Sequence, residues 1–352
     1  MKILITGGAG FIGSNIADAL FARGHQVHVL DDLSTGFPEN ISPGITLHKL
    51  DIRSEEAGKL VAEGGYDILC HHAAQMDVRR SVREPEFDAD VNIKGTLNLL
   101  EAAVKGKVKR VVYASTGGAV YGEPRYIPVR EDHPINPICH YGISKHTVEH
   151  YLFLYRYLYG LDYTVLRYPN VYGPRQNPYG EAGVTAIFTV KYLRGEVPVI
   201  NGDGQQLRDY VHVGDIARAN IAAMDLSNKG ASGGIFNIGW GEGRSVEELD
   251  RIIRGLVGTT LEPVYGPPFL RRSSRWPWTH PLGKPFWAGR PRYPLKRAFP
   301  IWWNTIGGRW KSETPGIPRP RRRDKREPRG LCTGSFPVDT HSRFPSGGGK
   351  TP

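Results

Sequence analysis

The chain of 352 residues is long enough to bury a sizeable core in one large or two ordinary domains. Its formal net charge of +11 suggests an anionic partner, but the positive charge is confined to one end. Residues 269–352 hold 19 Lys and Arg against 4 Asp and Glu, so residues 1–268 carry a net charge of −4. This excludes a basic nucleic-acid-binding globule for residues 1–268. No apolar stretch approaches the roughly 20 residues of a membrane-spanning helix.

The cysteines and the first residues indicate a compartment. The sequence MKILITGGAG is a short apolar run that enters a glycine-rich turn, unlike a signal peptide. Cys70, Cys139 and Cys332 show neither metal-ligand spacing nor an even disulfide framework. We therefore predict a protein of the reducing cytoplasm that binds no metal.

Apolar runs of strand length alternate with segments of helical spacing over the first 268 residues. The predicted strands are Lys2–Thr6, Gln26–Leu30, Ile45–Leu50, Tyr66–Cys70, Arg110–Ala114 and Tyr163–Arg167. Helical spacing is found in Ile12–Arg23, Leu97–Val104, His140–Tyr159 and Ser245–Val257. This alternation predicts the α/β class, with a doubly wound parallel (Rossmann) sheet between helices on both faces.

The pattern stops after Pro267-Pro268. Residues 269–352 contain six of the seven tryptophans and 13 of the 27 prolines, and no apolar periodicity survives there. Arg, Pro, Gly, Trp and Ser dominate in this way when GC-rich coding DNA is translated in the wrong frame. We favour that interpretation over a disordered extension or a basic binding tail.

A glycine-rich turn joins the first predicted strand to the first predicted helix. Gly7 permits a tight turn, Gly10 lets backbone N–H groups approach a pyrophosphate, and Gly13 allows the helix to pack closely on the strand. Because the turn lies between a strand and a helix, we interpret it as a dinucleotide-binding turn and not as an ordinary connection.

Asp31 gives a second nucleotide signal, because it ends the second strand 18 residues after Gly13. A carboxylate there accepts hydrogen bonds from both adenosine ribose hydroxyls and repels a 2′-phosphate. No arginine follows it in Asp32–Thr35, so the sequence favours NAD over NADP. Asp51 and Ile52 close the predicted third strand, where side chains border an adenine pocket, although such a pair also occurs in plain strand-ending turns.

Tyr141 and Lys145 lie four residues apart and share a face of the predicted helix His140–Tyr159. A phenol with a pKa of about 10 is a poor base at neutral pH. We expect the lysine ammonium, together with a positive nicotinamide, to stabilise the phenolate and lower that pKa. Ser115 and Thr116 end the fifth strand at the edge where such sheets bind ligands, and supply a hydroxyl for a substrate oxygen. These groups together predict an active site.

Nine motifs spread over residues 1–268 carry a family resemblance. In chain order they are TGGAGFIGS, LDDLSTG, HHAAQ, VNIKGTLNLLEA, STGGAVYGEP, YGISKHTVE, LRYPNVYGPRQ, DGQQLRDYVHVGDIA and FNIGWGE. Together they resemble the extended short-chain dehydrogenase/reductases, and within that group the nucleotide-sugar epimerases of the UDP-glucose 4-epimerase type. Residues 269–352 are unlike the family.

The resemblance implies a role for each residue that matches a family motif. The implied NAD contacts are Gly7, Gly10, Phe11, Ile12, Gly13, Asp31, Asp51 and Ile52, with Ala73, Ala74 and Gln75 beside the nicotinamide ribose and Asn92 at a helix start near the cofactor. The implied reacting residues are Thr116, which bonds the sugar 4-hydroxyl, Tyr141, the general base, and Lys145, which holds the nicotinamide ribose; Tyr141 and Lys145 are also implied cofactor contacts. Asn170 is implied to contact the sugar or its phosphate, and Arg208 to bind the pyrophosphate.

The resemblance implies NAD-dependent epimerisation at C4 of a UDP-sugar of the glucose/galactose type, through a transient 4-keto sugar. A related nucleotide-sugar dehydratase or decarboxylase is one alternative. Dehydration is disfavoured because Gly117-Gly118-Ala119 follows Thr116, where the 4,6-dehydratases carry an acidic pair. The other alternative is an inactive epimerase or a non-enzymatic NAD-binding protein with a basic tail.

The resemblance also implies a domain plan and a homodimer. We expect an NAD-binding domain over residues 1–175, a small substrate-binding region interleaved with returning Rossmann elements over 176–268, and the tail over 269–352. An incomplete substrate region would leave a chain that binds NAD but turns over UDP-sugar poorly. Large side chains enrich one helix, His140–Tyr159, which we predict to form the dimer interface.

Overall fold

The computed structural model describes residues 1–179 and 183–267. Its longer strands follow the predicted apolar runs, and several short strands are added after residue 168. In chain order the strands are β1 (Lys2–Thr6), β2 (Gln26–Asp31), β3 (Thr46–Lys49), β4 (Ile68–His71), β5 (Arg110–Thr116), β6 (Asp162–Tyr168), β7 (Asn170–Tyr172), β8 (Val199–Asn201), β9 (Leu207–Arg208), β10 (Tyr210–His212), β11 (Gly234–Asn237), β12 (Arg244–Ser245) and β13 (Val264–Gly266).

The helices alternate with these strands. They are α1 (Phe11–Phe21), α2 (Glu55–Glu63), α3 (Val78–Arg83), α4 (Pro85–Ala89), α5 (Thr96–Lys105), α6 (His140–Tyr159), α7 (Val184–Leu193), α8 (Val213–Met224) and α9 (Val246–Val257). A π-helical turn, Asp90–Gly95, joins α4 to α5. The prediction for α6 is confirmed at both ends, and Gly160 stops the helix in the left-handed conformation, with φ 70°. None of the helices in the described residues combines the length and apolarity that spanning a membrane requires.

Seven strands form one parallel sheet in the order β11-β6-β5-β4-β1-β2-β3. The chain builds outward from β1 through β2 to β3, then returns to β4 on the other side of β1 and builds outward again. The predicted doubly wound parallel sheet is confirmed. The direction of winding reverses between β1 and β4, so the crevice at their carboxyl ends is where this fold binds ligands.

Both faces of the sheet are covered by helices because the strands are apolar on both sides. Ile3 and Ile5 belong to the core formed with α1 and α8, whereas Leu4 belongs to the core formed with α2, α5 and α6. Successive residues of a strand point to opposite faces, and helices cover both faces of this sheet. Ile3, Leu4 and Ile5 are therefore all apolar.

A third apolar cluster lies after the Rossmann core in the chain. Tyr172, Phe188, Ile200 and Leu249 pack together, and they bring α7 and α9 against each other. In the same stretch of chain, α8 covers the main sheet and β11 joins its edge. This arrangement fits an interleaved region, while the boundaries at 175 and 268 stay predictions. The predicted tail, 269–352, lies outside the described residues.

One predicted strand end is confirmed and another is wrong. Ser115 and Thr116 end the fifth strand as expected, two residues beyond its apolar run, and pair with β6. The third strand ends at Lys49, so Asp51 and Ile52 lie beyond it and do not close it. The chain leaves the sheet there because the Asp51 carboxylate accepts a hydrogen bond from the Arg53 backbone N–H at 2.8 Å, which makes a turn.

A substitution at Gly255, which lies inside α9, tests the assignment of this helix. A Cβ built on it meets nothing within 4 Å, and its φ is not in the left-handed region. Glycine inside a helix costs about 0.5–1 kcal/mol relative to alanine, so Gly255→Ala is expected to raise the free energy of unfolding by that amount. Urea denaturation followed by far-ultraviolet circular dichroism measures it.

The matched control is Gly258→Ala at the end of the same helix. This position is equally open, but its φ is 75°, so the substitution is expected to destabilise the protein. A Gly255→Ala variant less stable than wild type, or a Gly258→Ala variant more stable, would contradict the assignment.

Candidate active site

The turn between β1 and α1 has no room for side chains. Gly7 has φ 67°, and a Cβ on it would lie 2.7 Å from the backbone nitrogen of Ala73. A Cβ on Gly13 would lie 2.3 Å from the carbonyl oxygen of Gly7. Gly10 is the N-cap of α1 and makes no side-chain cap, so the first N–H groups of Phe11 and Ile12 face the turn. The turn is therefore a backbone cradle at a positive helix end.

Asp31 lies at the end of β2 beside this cradle, as predicted. One carboxylate oxygen accepts a hydrogen bond from the Ala9 N–H at 2.9 Å, and the other accepts one from the Leu33 N–H at 2.9 Å. Burial raises the pKa of Asp31, and the two backbone donors oppose that rise. Because a carboxylate offers about four lone-pair positions, these contacts leave each oxygen able to accept a further hydroxyl donor.

The segment after β4 is tied to β1 by Thr6. The Thr6 hydroxyl lies 2.7 Å from His71 Nδ1 and accepts hydrogen bonds from the backbone N–H groups of His72 and Ala73, each at 3.2 Å. Burial lowers the pKa of both histidines, in His72 to about 3. Within residues 1–179 and 183–267, no three or more His, Cys, Asp or Glu side chains are grouped so as to hold a metal ion.

Gln75 and Asn92 fix the other end of this segment. The Gln75 N–H donates to the Asn92 side chain at 2.8 Å, and the Asn92 amide donates back to the Gln75 carbonyl at 2.9 Å. Asp88, which is 1% exposed, accepts from both side chains. The expected helix start at Asn92 is wrong: it lies in the π-helical turn of a run that begins at Pro85, because one extra residue is accommodated in the middle of that helix.

Tyr141 and Lys145 lie on α6, whose first turn is capped by Cys139. The Cys139 sulfur accepts a hydrogen bond from the Gly142 N–H at 3.4 Å. Tyr141 is half-buried, whereas Lys145 is 3% exposed and its Nζ lies 4.2 Å from the centre of the Tyr113 ring. Sequence reasoning missed Gly142, where a Cβ would lie 2.5 Å from the carbonyl of Ala119 and separate α6 from the segment after β5.

The structure distinguishes the two hydroxyls at the end of β5. Ser115 is 3% exposed and donates to Glu149 of α6 at 2.6 Å, so it is engaged inside the protein. Thr116 has the opposite orientation along the strand and is half-buried at the carboxyl edge of the sheet. Thr116 is therefore the hydroxyl that can meet a substrate oxygen.

Asn170 and Arg208 come from short ladders outside the main sheet. Asn170 starts β7, which pairs with β10, and its N–H donates to the Asp209 carbonyl at 3.1 Å. Arg208 is opposite Arg244 in the antiparallel pair β9–β12. The Arg244 guanidinium is itself ion-paired, with Glu242 at 3.1 Å and Glu248 at 2.7 Å.

Asp209 is a residue that sequence reasoning missed. It is 1% exposed, and its carboxylate accepts hydrogen bonds from the N–H groups of Trp240 and Gly241, both at 2.9 Å. These bonds hold the loop after β11 next to Arg208. Its signal in the sequence was its place between Arg208 and Tyr210 in the motif DGQQLRDYVHVGDIA.

Comparison with known proteins identifies the family. Residues 3–239 match the model of the NAD dependent epimerase/dehydratase family. The chain belongs to this family. A putative UDP-glucose 4-epimerase of Methanocaldococcus jannaschii is 48% identical over 266 residues, which cover 76% of this chain and 86% of that protein.

Two solved structures of epimerases have the same fold. UDP-glucose 4-epimerase of Thermotoga maritima with UDP-glucose has a TM-score of 0.82 and 42% identity, over 88% of this chain and 99% of that one. UDP-glucose 4-epimerase of Thermus thermophilus in complex with NAD has a TM-score of 0.79 and 38% identity, over 88% and 99%. The resemblance to extended nucleotide-sugar epimerases is confirmed.

Burial is the main influence on the pKa values of Tyr141 and Lys145. Burial raises the pKa of Tyr141, and Cys139 and Asp88 raise it further. Burial also lowers the pKa of Lys145 to about 7, although the Glu149 and Asp88 carboxylates oppose that fall. The protein's own groups do not lower the pKa of the phenol, because the same burial disfavours both charges. The expectation that Lys145 together with a positive nicotinamide lowers it stays a prediction.

Gly13→Ala tests the cradle of this epimerase-family site. The new Cβ would meet backbone atoms of Gly7 and Gly8, which cannot move without displacing the turn from α1. Overpacking of this kind costs about 1–3 kcal/mol, so we expect NAD affinity to fall about 10-fold or more. Isothermal titration calorimetry with NAD measures it. Gly255→Ala is the control and keeps wild-type affinity. A folded Gly13→Ala protein that binds NAD as tightly as wild type would refute the assignment.

Proposed function

We propose that this chain is an NAD-dependent epimerase that inverts C4 of a UDP-sugar of the glucose/galactose type. The observation that carries the proposal is that Tyr141 and Lys145 share one stripe of α6, which contacts β5 through Lys145 on Tyr113 and through Glu149 on Ser115, the residue before Thr116. The relatives named above support it, because they are UDP-glucose 4-epimerases by name, one with UDP-glucose and one with NAD.

The residues present fit NAD. The backbone cradle at Gly7 and Gly13, which a Cβ would fill, suits a pyrophosphate at the N-terminus of α1. The carboxylate of Asp31 suits ribose hydroxyls. We assign NAD contacts to Gly7, Gly10, Phe11, Ile12, Gly13, Asp31, Asp51, Ile52, Ala73, Ala74, Gln75 and Lys145, with Asn92 acting through Gln75. The chemistry that NAD supplies when bound is reversible uptake of the C4 hydride.

The protein's own groups then have separate tasks. The Thr116 hydroxyl orients the sugar 4-hydroxyl. The Tyr141 phenolate oxygen takes the proton of that hydroxyl and returns it to the same sugar oxygen after the 4-keto sugar has rotated. Lys145 holds the nicotinamide ribose and adds positive charge near the phenol. Asn170 and Arg208 hold the nucleotide diphosphate, so the 4-keto sugar can rotate in the site without dissociating from the enzyme.

Gly117 and Gly118 favour epimerisation over dehydration. They follow Thr116 directly and present no acid that could eliminate water from the sugar. A non-enzymatic NAD-binding protein has no need of Tyr141, Lys145 and Thr116 together, so this trio favours catalysis over a sensing role.

We propose that the enzyme is a homodimer held by α6. The outer side of this helix is apolar over its C-terminal half, with exposed fractions of 62% for Phe153, 78% for Tyr157 and 55% for Leu158. An apolar surface of this width fits the same face of a second copy, as in a helical bundle. The proposed compartment is the reducing cytoplasm, because Cys70 and Cys139 are buried thiols.

The dimer is tested with Phe153→Glu/Tyr157→Glu. A charge at each position on an apolar interface is costly to desolvate, so we expect monomers in size-exclusion chromatography with light scattering. Val264→Glu, at a residue that is 52% exposed on β13, is the control and leaves the mass unchanged. A wild-type mass of one chain would overturn the proposal.

Epimerisation is tested with Tyr141→Phe. We expect kcat to fall by about 10²–10⁴-fold, the range for loss of a general acid–base group, with NAD affinity retained. A coupled assay of UDP-galactose conversion to UDP-glucose measures the rate, beside NAD calorimetry. Tyr66→Phe, at the amino end of β4, is the control and keeps full activity. Wild-type protein that binds NAD and leaves C4 of UDP-sugars unchanged would refute the function.

A further inference from the structure

The stripe of α6 that carries Tyr141 and Lys145 continues to a third polar residue, Glu149, at the next position four residues on. Its side chain is 2% exposed. A carboxylate buried in the reacting helix is costly, and the mechanism above assigns it no task. It therefore requires an explanation of its own.

The carboxylate of Glu149 is saturated with donors. One oxygen accepts hydrogen bonds from Ser115 Oγ at 2.6 Å and Arg167 Nε at 3.0 Å. The other lies 2.5 Å from Arg167 Nη2 and 3.1 Å from His146 Nδ1. Burial opposes ionisation, but the bonds from His146, Arg167 and Ser115 hold the pKa of Glu149 at about 2. The group is a fixed negative charge at every physiological pH.

Arg167 extends this arrangement to the segment after β5. Its Nη1 donates to the Tyr121 hydroxyl at 2.7 Å, and that hydroxyl donates to Asn237 at 2.6 Å. The Asn237 backbone N–H in turn donates to Glu131 Oε1 at 2.8 Å. Arg167 of β6 thus connects α6, β11 and the chain that follows Thr116.

A buried ion pair is a weak source of net stability, because desolvation of both charges offsets their attraction. Apolar residues of similar volume would serve the packing of α6 on β5 and β6 at least as well. The role of Glu149 must therefore depend on the position of its charge and on the side chains that its hydrogen bonds orient.

The negative charge of Glu149 acts on Lys145. Burial lowers the pKa of Lys145, and the Glu149 and Asp88 carboxylates are the groups that raise it. The other titratable or aromatic groups that interact with it are His71 at the end of β4, His72 directly after it, and Tyr113 from β5. The histidines are neutral at pH 7, since burial lowers the pKa of each.

We propose that Glu149 is a positioning residue of this active site, which holds the end of β5 through Ser115 and keeps a fixed negative charge behind Lys145. The proposal rests on the proposed function, since Thr116 follows Ser115 directly and Lys145 serves the cofactor. Glu149 acts through these two neighbours and does not itself touch substrate. Tyr113 and Ser115 both contact α6 from β5, so these two contacts fix the position of the strand end at which Thr116 lies.

Two variants separate the charge from the hydrogen bond. Glu149→Gln keeps an oxygen for Ser115 and removes the negative charge, so the pKa of Lys145 should fall by about one unit. Ser115→Ala removes the hydrogen bond and keeps the charge, so Lys145 should titrate as in wild type while kcat falls. NMR titration of protein labelled with ¹³C at lysine Cε reports the Lys145 pKa without turnover, with the resonance assigned by Lys145→Met.

The pH profile of epimerisation gives the second measurement. Sites that need the Lys145 ammonium lose activity as pH rises through its pKa, so Glu149→Gln should move the alkaline limb of kcat/KM down by about one unit. Glu149→Asp keeps the charge and should restore the limb. A Glu149→Gln protein whose Lys145 titrates as in wild type would overturn the proposal, as would a Ser115→Ala protein that shifts Lys145 equally.

Folding is controlled with a double variant. Glu149→Gln leaves the Arg167 charge unpaired, and if that protein does not fold, Glu149→Gln/Arg167→Met removes both charges. Arg167 is not among the groups that shift the pKa of Lys145, so the downward shift should remain in the double variant, and its absence would count against Glu149. Wild-type protein without epimerase activity would refute the function alone, because the NMR titration still reads the Glu149 effect.

Discussion

The close approach of the β1–α1 turn to the chain leaving β4 is the constraint on which the site depends. Gly7 leaves only enough room for the backbone of Ala73, and Thr6 binds the N–H groups of His72 and Ala73 through one hydroxyl. The two segments flank the point where the winding of the sheet reverses. The proposed pyrophosphate cradle and the proposed nicotinamide side are therefore held in one geometry by close backbone packing and by one buried hydroxyl.

The reacting helix is positioned by polar contacts instead. Asn92 and Asp88 connect the segment at Gln75 to α6 through Ser144, and Glu149 connects α6 to β5 and β6. Buried groups of this kind make hydrogen bonds of defined direction, whereas apolar packing tolerates small rotations of a helix. The same groups bring carboxylates near Lys145, so the contacts that orient α6 also set its electrostatics.

The sequence predicted the parts of the fold whose physics is local. Continuous apolar runs located the long strands, and helical spacing with a closing glycine located α6 at both ends. Short ladders such as β7–β10 carry no such run. Asn92 was misplaced because a π-helical turn leaves the helical spacing nearly unchanged. Alternation along β5 separates Ser115 from Thr116, but only the packed helix shows which of them is engaged. The pKa of Tyr141 depends on burial, which residue spacing does not report.

The net charge of residues 1–268 does not indicate the charge of the ligands that this site is expected to bind. A body with a net charge of −4 is expected to bind a dinucleotide and a nucleotide diphosphate, both anionic. It can do so because attraction at close range depends on a few oriented groups and not on total charge. The cradle at α1 uses backbone dipoles, and Lys145 is enclosed with the carboxylates of Glu149 and Asp88. Charges placed in this way act on a bound group at short range, whereas an excess of surface charge attracts polyanions from a distance.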